Sequence, residues 1–311
     1  MPRLLTPWPA APPPPLRRRC DRAAPEAAAA HATTASASPP PLALRLLHET
    51  ERLLVVDKPP GLPFHEDDGG PGVLQAARAA QACGAWAYGG RLHGVHRLDR
   101  VTSGVLVLAK SAHDAGLLGG AFRAGNVRKL YVALSARRPS KKMGVVVGDM
   151  ARSRRGAWML LHSRERPATT RFVSSGVVGS RPGLRGFVLR PLTGRTHQLR
   201  VALKSLGAPV LGDALYAAAA DAAREERAYL HAAALHVPAL APGEAPLCVV
   251  CPPSSGAEFL TPQFQAWFAE LFPPGAPPEA WCHGAPALHA AAENTCVWDD
   301  TTGSVDDGDV L

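Results

Sequence analysis

His96-Arg97-Leu98-Asp99-Arg100-Val101-Thr102-Ser103-Gly104 runs straight into Val105-Leu106-Val107-Leu108-Ala109. A carboxylate framed by arginines is followed by a Thr-Ser-Gly turn, whose hydroxyls are expected to bond local backbone and whose glycine adopts a conformation closed to other residues. The apolar run behind it is short, continuous and rich in branched side chains, as a central strand is. Asp99 is therefore predicted to be aimed by a tight turn just ahead of a buried strand.

Working outward, Arg52-Leu53-Leu54-Val55-Val56-Asp57 reads as a second buried strand, ended by Lys58-Pro59-Pro60-Gly61, which no strand interior tolerates. Apolar positions at helical spacing predict helices over 73–86 and 112–124. Further strands are predicted at 130–135, 145–147, 170–174, 186–190 and 247–251. A turn at 194 leads into a helix with Leu199, Leu203 and Leu206 on one face. Pro262 to Phe272 forms a last amphipathic helix that turns Phe264, Trp267, Phe268 and Leu271 inward. Strands and helices follow one another without regular strand-helix-strand units, so the fold class expected is α+β, with a mixed, mostly antiparallel sheet and flanking helices.

Composition divides the 311 residues into three parts. Residues 1–42 are Pro, Ala, Arg, Ser and Thr with almost no acids, a mixture that buries too little apolar surface to offset chain entropy, so disorder is expected there. Arg17-Arg18-Arg19 in an acid-poor, Ser-containing start also fits a transit peptide to a chloroplast or mitochondrion; without that function the chain is expected in the cytoplasm. One folded catalytic domain is placed at 43–275. The segment 276–311 has seven acids and no Lys or Arg, and is expected to be a solvated tail or a shield for a basic groove. With net +4 over residues 1–45 and net −7 over the tail, the intervening chain has 28 Lys and Arg against 17 Asp and Glu, net +11. Such a surface attracts polyanions, and nucleic acid is the leading partner.

Six scattered cysteines in a chain of this size call for no disulfide framework. Cys248 and Cys251 have zinc-knuckle spacing, with Cys282-His283 downstream, but more simply pack in or beside a strand, and no metal is expected. His93, His96 and Asp99 also have the spacing of a short metal-ligand cluster, of a kind that arises by accident. No apolar run reaches the ~18 residues of a membrane span, so no membrane partner is expected.

Two further segments, Lys129-Leu130-Tyr131-Val132-Ala133-Leu134 and Gly194-Arg195-Thr196-His197-Gln198-Leu199-Arg200-Val201, follow the first in order, and together they resemble the RluA-type RNA pseudouridine synthases. The likeness runs over about 47–272. It takes in Leu54-Val55-Val56-Asp57-Lys58-Pro59-Pro60-Gly61-Leu62, the stretch from Lys204 to Tyr216, and Leu230-His231-Ala232. The resemblance implies a pseudouridine synthase domain that isomerises uridine to pseudouridine in ribosomal or transfer RNA, with no cofactor and no obligatory protein partner.

It also implies roles. Asp99 is the carboxylate that works on the nucleoside, and Arg195 is the cation paired with it, with Arg200 as the fallback. A charge partner of this kind offsets the desolvation that would otherwise neutralise a carboxylate in a dry pocket. Tyr131 lies against the target base and takes part in removing its C5 proton; a flat ring holds a base while leaving it free to turn. Arg97 fills the gap left by the flipped uridine. His96, Thr102, Lys129, His197, Gln198 and Arg200 complete the expected RNA contacts, through loop placement, backbone clamps and phosphate pairing. Two departures stand out: Ala202 occupies a position where many members have His, and the Pro-rich start does not resemble the small RNA-binding domain that many carry. The basic insert from Lys141 to Gly156 is expected to form a hairpin that touches RNA backbone.

Overall fold

A computed structural model describes residues 43–66, 70–176 and 181–273. The expected disordered or transit segment 1–42 and the acidic tail 276–311 lie outside the described residues. In chain order the elements are β1 (Arg45–Glu49), β2 (Leu53–Lys58), α1 (Val73–Ala82), β3 (His93–Gly94), β4 (Ser103–Ala109), α2 (Ala112–Arg123), β5 (Arg128–Ser135), β6 (Met143–Gly148), β7 (Met150–Arg152), β8 (Trp158–Leu160), β9 (Ala168–Gly176), β10 (Arg185–Pro191), α3 (Gln198–Ser205), α4 (Ala219–Ala222), β11 (Leu230–Val237), β12 (Leu247–Val250) and α5 (Pro262–Leu271).

Ten strands make one sheet in the order β1-β2-β4-β11-β5-β10-β9-β6, with β3 added beside β4 and β12 beside β11; β7 and β8 pair only with each other. Within the large sheet β4 and β11 are parallel and the other pairs antiparallel, so the α+β, mostly antiparallel expectation holds. Successive side chains of a strand point to opposite faces. On β5, Tyr131 and Ala133 enter one core, while Leu130, Val132 and Leu134 enter another. Helices α1 and α3 cover the Tyr131 face with Val73, Ala77, Leu199, Leu203 and Leu206. The opposite face is covered by Leu118 of α2 and by Phe264, Phe268 and Leu271 of α5. A sheet buried on both sides explains why β2 and β4 read as unbroken apolar runs.

Local signals set the helix ends. Ser111 caps α2 and Thr261 caps α5, each accepting a backbone N–H three residues on, with Pro262 in the first turn of α5. Helix α1 ends at Ala82, short of the predicted 86, because Cys83 closes it and Gly84 turns left-handed with φ +75°. The basic insert also divides: residues 143–148 join the edge of the large sheet as β6, and the hairpin is confined to β7 and β8.

Strand β11 escaped the sequence reading. Its Ala232-Ala233-Ala234 core carries little strand propensity, yet it lies between β5 on one side and β4 and β12 on the other. Strand β4 crosses its backbone so closely that position 104 admits no side chain. Gly104 has φ +105°, and a Cβ added there would lie 2.2 Å from the Ala232 carbonyl oxygen. Gly104→Ala is therefore expected to lower stability by more than about 1 kcal/mol, read as a fall in the thermal midpoint. Gly120 of α2 has open space around its Cβ position. Alanine there is the control, expected to stabilise by up to about 1 kcal/mol.

Candidate active site

The loop between β3 and β4 carries Asp99 and is tied down from several sides. The Thr102 N–H donates to the Asp99 carbonyl (3.0 Å), closing a tight turn. Gly61 and Arg100 exchange two bonds: Gly61 N–H to the Arg100 carbonyl at 2.8 Å and Arg100 Nε to the Gly61 carbonyl at 3.0 Å. Beneath them Lys58, fully buried, gives its ammonium hydrogens to the carbonyls of Pro59 (2.8 Å), Leu62 (2.7 Å) and Arg100 (3.3 Å). Burial first, then the nearby Arg227 cation, pulls the Lys58 amine down to about 7. From sequence Lys58 was only a strand terminator; in the fold it is a bolt under the Asp99 turn.

The Ser103 hydroxyl does not bond local backbone, contrary to expectation. It lies 2.8 Å from His231 Nδ1 and receives Arg227 Nη2 at 2.6 Å. His231 Nε2 donates to the Cys251 carbonyl at 2.7 Å, and burial lowers this imidazole to about 4, so it stays neutral and fixed. Thr102 is buried on the cleft side of the same turn.

A cleft of about 1070 Å³ opens over Asp99. Arg97, Arg123, Arg128, Lys129, Arg190 and Arg195 contribute to its walls, and Asp99 is the one carboxylate among the described residues lining it. Tyr131 reaches the cleft from β5, between Leu189 on β10 and Ala232 on β11. Burial, with the charge of Asp99 adding to it, pushes the Tyr131 phenol well above its ordinary range, so the ring is neutral. Thus Asp99, Tyr131, Arg97, Lys129, Arg195 and His197 share one cavity.

The expected partner of Asp99 is corrected. Arg195 is exposed and its guanidinium donates to the Arg166 carbonyl at 3.2 Å, away from Asp99. The cation beside Asp99 is Arg200, with Nη1 3.3 Å from Oδ2. Arg200 is buried in α3 and grips Asp213 with two parallel bonds of 2.7 and 2.8 Å. It is therefore no phosphate contact. Burial pulls its pKa down, but the Asp213 and Asp99 carboxylates more than offset this and leave it above the ordinary value. Asp213 is fully buried and went unrecognised in the sequence, although it falls within the Lys204 to Tyr216 stretch that carried part of the resemblance.

Two expected RNA contacts turn out to serve the scaffold. The buried Gln198 amide is taken up inside the protein: it donates to the Thr169 carbonyl and Thr170 hydroxyl, and accepts from the Thr193 hydroxyl and Arg195 N–H, all at 2.8–2.9 Å. His96 Nε2 accepts the Val107 N–H at 3.0 Å while its ring stacks on Phe122, and burial lowers it to about 3. Both shape the cleft wall. Lys129 sits 5.8 Å from the Phe122 ring centre, its pKa lowered by burial, and Arg97 stands exposed at the rim. Among the described residues no three His, Cys, Asp or Glu side chains group as metal ligands, and the His93, His96, Asp99 spacing does not form such a cluster.

A family model described as RNA pseudouridylate synthase matches residues 52–205. The chain is 37% identical over 236 residues to an uncharacterised RNA pseudouridine synthase of Haemophilus influenzae, covering 74% of this chain and 99% of that one. It is 32% identical over 198 residues to the dual-specificity RNA pseudouridine synthase RluA of Escherichia coli, covering 62% and 86%. Among solved structures it is similar to human RNA pseudouridylate synthase domain containing 1, with a TM-score of 0.57 and 26% identity over 73% of this chain and 94% of that one.

Proposed function

Because the chain belongs to the RNA pseudouridylate synthase family, and so isomerises uridine to pseudouridine in RNA, we propose that it acts on structured ribosomal or transfer RNA through Asp99. The observation that carries this reading is that Asp99 is the one carboxylate among the described residues lining a cleft whose charged side chains are otherwise arginine and lysine, with a buried guanidinium 3.3 Å away. Cationic walls hold the phosphates, and a single acid is left to do chemistry on the sugar or base.

The reaction is an isomerisation, so atoms balance without an oxidant or reductant. The C1′–N1 bond breaks, the uracil turns, C5 bonds to C1′, and the C5 proton leaves while N1 gains one. The target uridine leaves its stack at a cost of a few kcal/mol, and Arg97 at the rim fills the space vacated. Asp99 acts on the ribose side of the extruded nucleoside, next to the Arg200 charge. Tyr131 offers a flat ring on which the detached base rotates. A phenol held neutral by burial fits stacking better than proton abstraction. Arg195 takes the phosphate-contact role that Arg200, being buried, does not.

Pseudouridine mapping of total ribosomal and transfer RNA, with and without this gene product, tests the reading. Loss of signal at discrete uridines in one of these RNA classes is the expected outcome. Unchanged maps in both would overturn the target class.

A further inference from the structure

We propose that Tyr216 is a positioning residue that couples an arginine-bearing hairpin to the Asp99 site, so that RNA held on the hairpin helps set the active geometry. The inference rests on the reading that Asp99 acts on the extruded uridine.

Tyr216 is almost fully buried, and its hydroxyl makes two bonds that join separate parts of the fold. It accepts the backbone N–H of Trp158 in β8 at 2.8 Å, and lies 2.8 Å from His197 Nδ1. The one hydroxyl thus ties the His197 ring to the backbone of β8. Burial lowers the His197 pKa, in keeping with a neutral ring. His197 itself has φ +58°, a left-handed conformation that costs a non-glycine residue about 1 kcal/mol or more and persists only where surroundings enforce it. Helix α3, which carries Arg200, starts at the next residue.

The Tyr216 ring does a second job. The Arg200 guanidinium lies 4.9 Å from its centre, so one side chain supports the cation beside Asp99 by its face and holds the cleft residue His197 by its hydroxyl.

On the far side of this link stands β7–β8. The hairpin pairs with no strand of the large sheet, and Arg152, Arg154 and Arg155 are exposed on it, together with Met159. Arg155 (φ +56°) and Gly156 (φ +74°) make the turn at its tip. Its neck is clasped by the Asp149 carboxylate, which accepts the N–H groups of Glu165 (3.0 Å) and Arg166 (2.8 Å). Arg195 fastens the same neck to the loop before α3 through the Arg166 carbonyl. Strand β8 also packs on α3 and sets Leu160 against the core, so the hairpin reaches the Asp99 site through apolar contact and through two side-chain links, one of which runs through a single hydroxyl. Phosphates bound by its arginines would bear on Trp158, Tyr216 and then His197 and Arg200. Binding energy from RNA remote from the target uridine is spent in this way on orientation at the reacting centre.

The test compares wild type, Tyr216→Phe, a triple variant with Arg152, Arg154 and Arg155 each changed to Ala, and their combination. RNA affinity and the single-turnover rate at saturating RNA are measured on a transcript long enough to reach the hairpin and on a minimal stem-loop. Phe keeps the ring under Arg200 and removes only the hydroxyl. Tyr216→Phe is expected to bind the long transcript within about twofold of wild type while its saturated rate on that transcript falls by about tenfold, a larger factor than it loses on the stem-loop. The triple variant is expected to bind the long transcript more weakly and, at saturation, to lose a similar factor in rate. The combination should be no slower than the slower parent. A wild-type rate for Tyr216→Phe, or effects that multiply in the combination, overturns the coupling. Should Tyr216→Phe fail to fold, the exposed triple variant decides alone: an unchanged saturated rate overturns the proposal. Pseudouridine formation by a folded Asp99→Asn variant on the same transcripts would instead refute the underlying reading of Asp99.

Discussion

Asp99→Asn is expected to lower pseudouridine formation by roughly 10⁴-fold or more, with RNA affinity and the fold preserved. The substitution keeps size and shape and removes the charge and basicity that the proposed reaction uses. The fold has little to lose, because the Asp99 side chain is 18% exposed and makes a single long contact of 3.3 Å with Arg200, which keeps its two shorter bonds to Asp213. Stability should fall by no more than about 1–2 kcal/mol. Product assay, RNA binding and thermal denaturation on the same preparation check the three parts. Substantial turnover by the folded variant would show that the carboxylate is not the reacting group.

Arg200→Met is expected to cost about 3–5 kcal/mol of stability as well as activity, since it strands Asp213 as an unpaired charge at a position with no solvent exposure. Arg195→Ala removes an exposed side chain with one bond to a carbonyl, and should change stability by about 0.5 kcal/mol or less. Denaturant midpoints of the two variants separate the assignments. Combining Arg200→Met with Asp213→Leu should recover much of the lost stability but none of the activity, because the charge beside Asp99 stays absent. If Arg195→Ala were the damaging change and Arg200→Met the silent one, the pairing seen in the structure would be wrong.

Much of the fold was legible because its signals are local. Apolar runs at β2, β4 and β10 and the helical spacing of α2 and α5 all report on a few neighbouring residues. The Asp99 turn, with Gly104 behind it, was visible for the same reason. Strand β11 was not, because alanine has no strand signature and the segment is placed in the sheet by pairing with β4 and β5, both distant in sequence. Of the expected site residues, Tyr131, Arg97, Lys129, Arg195 and His197 share the cleft with Asp99, whereas His96 and Gln198 have their polar atoms engaged by the scaffold.

By itself, then, the sequence determined most of the sheet-forming segments, the basic character of the domain and the carboxylate at its mouth, since each is written in short-range pattern or in net charge. Only the tertiary structure decided that Arg200 and not Arg195 stands beside Asp99, and that Lys58, Asp213 and Tyr216 hold them there. Four residues separate the two arginines, and spacing alone does not say which one a left-handed turn at His197 carries inward on α3. Side-chain direction at that point is set by long-range packing, which no local pattern records.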